Sequence, residues 1–362
     1  GEVGTVNIRR PFIVIAFVLI ALLVTALPVM AQEGEPCTDC PVSFDTPSIL
    51  DPGSDNAAET ANLFWFVFWV ATGVFVLVEA MLIATVFRFR NRPASEAVQT
   101  HGNTKLEIMW TAIPAVILVV LLGSTLRSMA VIRAPVTEES LKVVVVGHQW
   151  WWEFQYPELG FVTANQMIVP VGQPVEIELR SVDVQHGFWA PQLFGKMDAV
   201  PGHTNRMHFT VTEAGEYGAQ CTQMCGEQHA QMRFQIIGVS SADFQTWAAG
   251  QQQPAPAPVD EAAVRGQKIF FDHACIACHT INGTAAVGRV GPNLTHLASR
   301  DFIAGGILAL TDDNLKAWVY NAPSVKPGAT MPDFSAIDPV TGGPILSEQN
   351  VSDIVAYLST LK

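Results

Sequence analysis

Cys221-Thr-Gln-Met-Cys225-Gly-Glu-Gln-His229-Ala-Gln-Met232 carries two thiols, an imidazole and a thioether within twelve residues. Thiolate and thioether sulfur beside imidazole is a donor set that selects copper, and two cysteines four apart can each bridge the same pair of ions. A single copper would use only one of them. A disulfide would also use both cysteines, and zinc accepts sulfur and nitrogen, but neither gives Met232 a part. A second imidazole has to come from elsewhere, and His186 in Ser181-Val-Asp-Val-Gln-His186-Gly-Phe-Trp is the best placed, following a strand-like run. Around the loop, residues 141–146, 174–179, 206–211 and 231–237 are short runs rich in Val, Ile and Phe, bounded by Gly, Pro and Asn. That pattern predicts an all-β sandwich of antiparallel strands.

These residues resemble subunit II of the haem-copper cytochrome oxidases, whose dinuclear copper centre (CuA) uses a Cys-x-x-x-Cys-x-x-x-His-x-x-Met loop and an upstream His. The likeness runs from about residue 62 to 237 and takes in Gly147-His-Gln-Trp150 and Asp198-Ala-Val-Pro-Gly202. It implies a cupredoxin fold in which Cys221 and Cys225 bridge the coppers, His186 and His229 cap one each, Met232 is a weak axial ligand and Gln223 lends its backbone carbonyl. The family usually has Glu where this chain has Gln223. A carbonyl ligand survives that change, whereas the magnesium that the Glu side chain normally binds at a subunit interface is put in question. The resemblance also implies that Trp150, in Gln149-Trp-Trp-Trp-Glu153, is the tryptophan through which electrons reach the copper. Read without it, one or two of Trp150, Trp151 and Trp152 belong to a buried core. Glu107, in Lys105-Leu-Glu-Ile-Met-Trp110, matches the family's acid at the mouth of a proton channel, although an acid at a helix N-terminus also suits the helix dipole. His203 stands where many relatives carry Arg, and His101, His148, His208, His273 and His296 sit in no motif.

Downstream, Cys275-Ile-Ala-Cys278-His279 is the c-type haem attachment pattern: two thiols take the porphyrin vinyl groups as thioethers, and the next residue supplies an axial imidazole. A redox or zinc Cys-x-x-Cys with a chance His would need nothing more. Here Met331, in Lys326-Pro-Gly-Ala-Thr-Met331-Pro, is the only methionine after Met232, and a His/Met pair is the ligation that raises the potential of cytochromes c. Gly291-Pro-Asn-Leu294 resembles the haem-edge loop of class I cytochromes c. Helical patterning over 262–272, 311–320 and 347–361 predicts a small all-α cytochrome c domain at 261–362. A Pro-rich, semi-rigid linker over 241–260, centred on Gly250-Gln-Gln-Gln-Pro-Ala-Pro-Ala-Pro258, precedes it.

The chain has 362 residues, of which 15% are charged, and a net charge of −13; its mean hydropathy is +0.28. Such a length suggests two or three domains, the hydropathy points to membrane segments, and no nucleic-acid partner is expected. Residues 11–31 follow Arg9-Arg10 and end Pro-Val-Met-Ala-Gln, so 1–32 reads as a signal peptide or as an N-terminal span that stays. Two further apolar runs, 63–87 and 108–132, predict a transmembrane helical hairpin over 61–135, with Glu79 facing protein rather than lipid. The connection from Arg88 to Lys105 holds three Arg and one Lys, which marks it as cytoplasmic, while the acidic segment 33–60 has seven acids and no Lys or Arg. Both ends of the hairpin therefore face outward, and the copper domain, 136–240, and the haem domain share the periplasmic side of a bacterial membrane. Cys37 and Cys40 are left over: a small-loop disulfide, a metal site or an idle pair.

Together these readings describe a multidomain, multi-pass membrane protein: subunit II of a respiratory terminal oxidase with a cytochrome c fused to its C-terminus. Cytochrome c or another periplasmic donor would supply electrons. They would then pass through haem c and the copper pair to a catalytic subunit I, beside other oxidase subunits, for oxygen reduction coupled to proton translocation. The long His-bearing membrane helices of an oxygen site are absent from this sequence. A nitrous-oxide reductase shares the copper loop but needs a large catalytic domain for which 362 residues leave no room. A membrane-anchored electron carrier and a copper-handling protein are the remaining alternatives, and the tryptophan cluster and Glu107 speak against both.

Overall fold

A computed structural model describes residues 48–91, 93, 101–135 and 139–362 of the chain. The expectations for residues 1–32, Cys37 and Cys40 lie outside the described residues. Two helices, α1 (Asp55–Phe89) and α2 (Thr104–Ile132), have 35 and 29 residues. At ~1.5 Å per residue they reach about 52 and 44 Å, longer than a ~30 Å hydrocarbon core. Their apolar side chains, Phe75, Leu118 and Val119 among them, are largely exposed, as lipid-facing residues are; Glu79 is half-buried. The outer end of α1 is stitched into the sandwich that follows. Ser54 caps the helix by accepting from the Ala57 amide at 3.1 Å and itself donates to the Leu193 carbonyl. Asp55 accepts from the Thr210 amide at 2.9 Å, and the Asn56 side chain donates to the His208 carbonyl. Ser128 of α2 donates to Glu59 of α1 at 2.7 Å, tying the two helices at the same end.

The sandwich contains ten strands: β1 (Leu141–His148), β2 (Trp151–Tyr156), β3 (Phe161–Ala164), β4 (Gln166–Pro170), β5 (Pro174–Ser181), β6 (His186–Trp189), β7 (Met197–Ala199), β8 (Asn205–Thr210), β9 (Gly215–Cys221) and β10 (Arg233–Val239). They form two five-stranded sheets, β3-β2-β1-β5-β8 and β4-β10-β9-β6-β7. The expectation of purely antiparallel strands is corrected, because β1 pairs with β5 and β4 with β10 in parallel. Where the chain crosses between sheets, as from β3 to β4 and from β4 to β5, strands from distant segments become neighbours and need not alternate in direction. Between the sheets lies an aromatic core. Trp152, Phe154, Phe188, Phe209 and Phe234 are fully buried, and the rings of Phe188 and Phe234 stack at 4.5 Å.

The linker expectation is also corrected. Residues 241–251 are not a tether but a helix, α3 (Ser241–Gln251), capped by the Ser240 hydroxyl. Phe244 and Ala248 are buried in the sandwich core, and Trp247 packs edge-on to Phe161 at 5.2 Å. Apolar groups recurring at helical spacing outweigh the Gly and Gln around them. The irregular connection is therefore only 252–260.

The C-terminal domain is built on α4 (Glu261–Asp272), α5 (Cys275–Cys278), α6 (Asp312–Tyr320), α7 (Ala322–Val325) and α8 (Glu348–Leu358), with a two-stranded ribbon of β11 (Phe302–Ile303) and β12 (Leu308–Ala309). Helices α4 and α8 approach so closely at Gly266 that a Cβ there would stand 1.7 Å from the Asp353 carbonyl oxygen. Beside it Arg265 grips Asp353 with two hydrogen bonds of 2.9 and 3.0 Å.

Candidate metal centres

β9 and β10 are hairpin partners, and residues 221–232 are the loop between them. The Cys221 amide donates to the Met232 carbonyl at 2.9 Å, so the first and last donor residues of the loop are neighbours. β6 lies on the other side of β9, with Phe188 opposite Cys221, and this pairing carries His186 to the loop from 35 residues away. The two sulfurs stand 3.7 Å apart, well beyond an S–S bond of about 2.05 Å, and both thiols are free. Around them the donors sort into two halves. Cys221 Sγ has His186 Nδ1 at 4.0 Å and the Gln223 carbonyl at 3.4 Å. Cys225 Sγ has His229 Nδ1 at 3.6 Å and Met232 Sδ at 3.9 Å. Each sulfur thus has one strong nitrogen donor and one weak oxygen or sulfur donor, and the donor chemistry fits copper.

Second contacts fix the ligands. Asp183 Oδ1 bonds His186 Nε2 at 2.8 Å, which turns Nδ1 toward the sulfur. Burial would raise the Asp183 carboxyl, but its bonds from His186 and the Val184 and Gln149 amides outweigh that and hold it below its ordinary value. The hydrogen bond from Cys225, helped by His186, holds the Cys221 thiol far below its ordinary range, while the same shared bond pushes Cys225 up. One of the two is therefore ready to bind metal as thiolate.

The Gln149-Trp150 turn between β1 and β2 lies over this loop. The Cys225 carbonyl accepts from Gln149 Nε2 at 2.7 Å and from the Trp150 indole at 3.0 Å. Trp150 and Trp151 are half-buried and Trp152 is wholly buried, which answers the question of which of the three belong to the core. His148 stacks on Trp151 at 4.1 Å, and His296 meets the Gln253 carbonyl at 3.2 Å, so both have structural employment. Glu107 sits in the first turn of α2 and accepts from the amide of the N-cap Asn103 at 3.2 Å.

In the C-terminal domain, Cys275, Cys278, His279 and Met331 line one cavity whose other walls include Phe270, Leu294, Leu297, Leu315, Trp318 and Phe334. His279 Nδ1 bonds the Pro292 carbonyl at 2.9 Å, in the Gly291-Pro-Asn-Leu294 loop, which reserves Nε2 for iron. Burial lowers the His279 pKa and so favours the neutral ring that a metal needs. Arg300 also lines the cavity, and its Nε is shut off from solvent without a partner. An apolar cavity with a buried guanidinium on its wall, its Nη2 given to the Asn293 carbonyl and its Nε left over, fits a flat, carboxylate-bearing group such as haem. Gln149, Trp150 and Trp151 of the copper domain close part of this cavity.

All six expected copper donors come together, as do the four expected haem residues. Sequence reasoning missed Asp183, Gln149, Arg300 and Lys326. Asp183 had a signal, standing three residues before His186; Gln149 and Lys326 had none, because their partners are distant in sequence.

Comparison with known families and proteins gives three matches along the chain. Residues 48–128 match the family described as cytochrome c oxidase subunit II, transmembrane domain, residues 160–239 its periplasmic domain, and residues 263–362 cytochrome c. Cytochrome c oxidase subunit 2 of Alkalihalophilus pseudofirmus is 35% identical over 296 residues, covering 80% of this chain and 83% of that protein. The subunit 2 of Bacillus subtilis is 31% identical over 298 residues, covering 76% and 81%. Among solved structures, the periplasmic domain of subunit II of cytochrome oxidase from Bradyrhizobium japonicum is 28% identical, with a TM-score of 0.32, and covers 33% of this chain and 97% of that one.

Proposed function

The chain belongs to the cytochrome c oxidase subunit II family, and we propose that its fused cytochrome c domain is the electron donor to its own copper domain, with Trp150 as the bridge. Haem c held by Cys275, Cys278, His279 and Met331, and a copper pair held by His186, Cys221, Gln223, Cys225, His229 and Met232, would supply reversible one-electron chemistry. The observation that carries the reading is the position of Trp150. Its indole N–H bonds the carbonyl of Cys225 at 3.0 Å, and the same residue lines the haem cavity. One residue therefore touches both sites. The surrounding residues keep the copper site closed: Met232 and His186 are wholly buried and Cys221 and Cys225 nearly so, which limits rearrangement on oxidation. Buried ligands also disfavour a copper-delivery role, since delivery needs ligands that exchange.

Electrons would arrive from cytochrome c or another periplasmic donor and leave to a catalytic subunit I among other oxidase subunits, in a bacterial membrane that α1 and α2 cross, for oxygen reduction coupled to proton translocation. Glu107 would stand at a proton channel mouth on the cytoplasmic side. The hydrogen bond it makes to Asn103 serves the helix end as well. The test is stopped-flow reduction of the loaded, full-length protein by its donor. Haem should be reduced before copper, and Trp150→Ala should slow the second phase several-fold and leave the first unchanged. Copper reduced ahead of haem, or an unchanged second phase in the variant, would mean another entrance.

A further inference from the structure

Lys326 stands in the loop that carries Met331 and is 3% exposed. A lysine is almost never so buried unless it is paired, and no salt bridge to it is found among the described residues. Its partners are three backbone carbonyls: Trp150 at 2.8 Å, Ala304 at 2.9 Å and Gln231 at 3.1 Å. An ammonium has three donors, so all three are used. Trp150 and Gln231 belong to the copper domain, the second of them next to the ligand Met232; Ala304 belongs to the haem domain and lines its cavity. Burial pulls the Lys326 pKa down to about 7, opposed by the charge interaction with Cys225.

The seam around Lys326 is built for close approach. Gly305, at φ +73, takes a left-handed conformation, and a Cβ on it would stand 2.8 Å from Lys326 Nζ and 2.9 Å from the Trp150 carbonyl. The Arg233 amide crosses the seam to the Gly305 carbonyl at 3.0 Å. At the seam's other end, Gln166 of β4 donates to Asp301 at 2.5 Å and accepts from its amide at 3.0 Å. The haem domain is thus docked, and the 252–260 connection is not what holds it in register with Trp150.

We propose that Lys326 is a positioning residue, a pin that holds the haem domain against Trp150 so that electrons pass between the two domains of this chain without a docking step. This rests on the serial path proposed above. Lys326→Met keeps the apolar stem and removes the three donors. In the loaded, full-length protein, haem-to-copper transfer should fall roughly tenfold, the population change expected when charge-assisted hydrogen bonds are lost. It should also become sensitive to solvent viscosity, while the parent's rate is not. The haem spectrum and potential and the copper EPR signal should stay as in the parent. A readout that needs no metal is exchange of the Arg233 amide, which should speed up in the variant. Lys326→Gln, which keeps two donors, carries the same test with a smaller shift should the Met variant fail to accumulate. A parent that transfers electrons from haem to copper, with variants that match it in rate, viscosity response and Arg233 exchange, overturns the pin and leaves the path standing. A parent in which copper is reduced without haem overturns the path, and the pin with it.

Discussion

The copper loop and the haem crevice are built to take their metals by opposite means. In the copper loop, protein packing alone brings five side chains and one carbonyl within 4.0 Å of a sulfur, and the sandwich core beneath is complete. In the haem domain, the ligands stand on the walls of a cavity, and apolar residues such as Leu294, Leu315 and Phe334 face the space the porphyrin would fill. The thiols differ in the same sense. Of the copper pair, the shared hydrogen bond holds Cys221 far below its ordinary pKa, ready to act as a metal-binding thiolate, and pushes Cys225 up; at the haem site burial pushes Cys275 up to about 11. A thiol that adds to a vinyl group is consumed as thioether and need not stay ionised. One site is preformed by the fold; in the other, the cofactor is part of the core.

Withholding each group in turn should separate the two sites. Replacing Cys275 and Cys278 together by Ser removes covalent haem, and the haem domain should lose its fixed packing. An unfilled apolar cavity costs ~24 cal/mol per Å³, which for a haem-sized space is several kcal/mol, set against a domain stability of about 5–15 kcal/mol. Amide protection of α8 should collapse while the copper EPR signal persists. Native-like protection of α8 without haem would mean that its core is complete after all.

A smaller effect should follow from Met331→Leu, which fills much the same volume but has no thioether. Haem should stay attached through its two cysteines, the potential should fall, and carbon monoxide should bind at the vacated position. An unchanged potential with no carbon monoxide binding would assign the sixth ligand to another residue.

At the copper site the expected losses are local. Cys221→Ser should abolish the seven-line EPR hyperfine pattern of an electron shared by two coppers, with only a modest change in unfolding temperature because the aromatic core is untouched. Gln223→Ala should do least, since only its carbonyl faces the sulfur; a lost signal there would give the Gln223 side chain a part that its 3.4 Å carbonyl contact does not explain.

Much of both sites was legible because their motifs are local. Cys221, Cys225, His229 and Met232 share one hairpin loop, and Cys275, Cys278 and His279 one helical turn, so ligand spacing is written in the chain itself. The four β-runs read from sequence correspond to β1, β5, β8 and β10. The other six strands are short or carry mixed polar residues, and the two parallel pairings depend on which sheet each strand joins. The helix over Ser241–Gln251 was hidden under a Gln, Gly and Pro composition that extends from 250 to 258 and drowns the stripe of Phe244, Trp247 and Ala248.

The donor set of the copper loop, the Cys275-Ile-Ala-Cys278-His279 pattern and the two long apolar helices were readable from the chain alone, because each depends on residue type and near-neighbour spacing. That α3 belongs to the sandwich, and that Lys326 and Trp150 join the two domains, came from tertiary packing alone. Those contacts link residues separated by as many as 176 positions, and hydrogen bonds between such residues exist only once packing has brought the backbone carbonyls within about 3 Å of a donor.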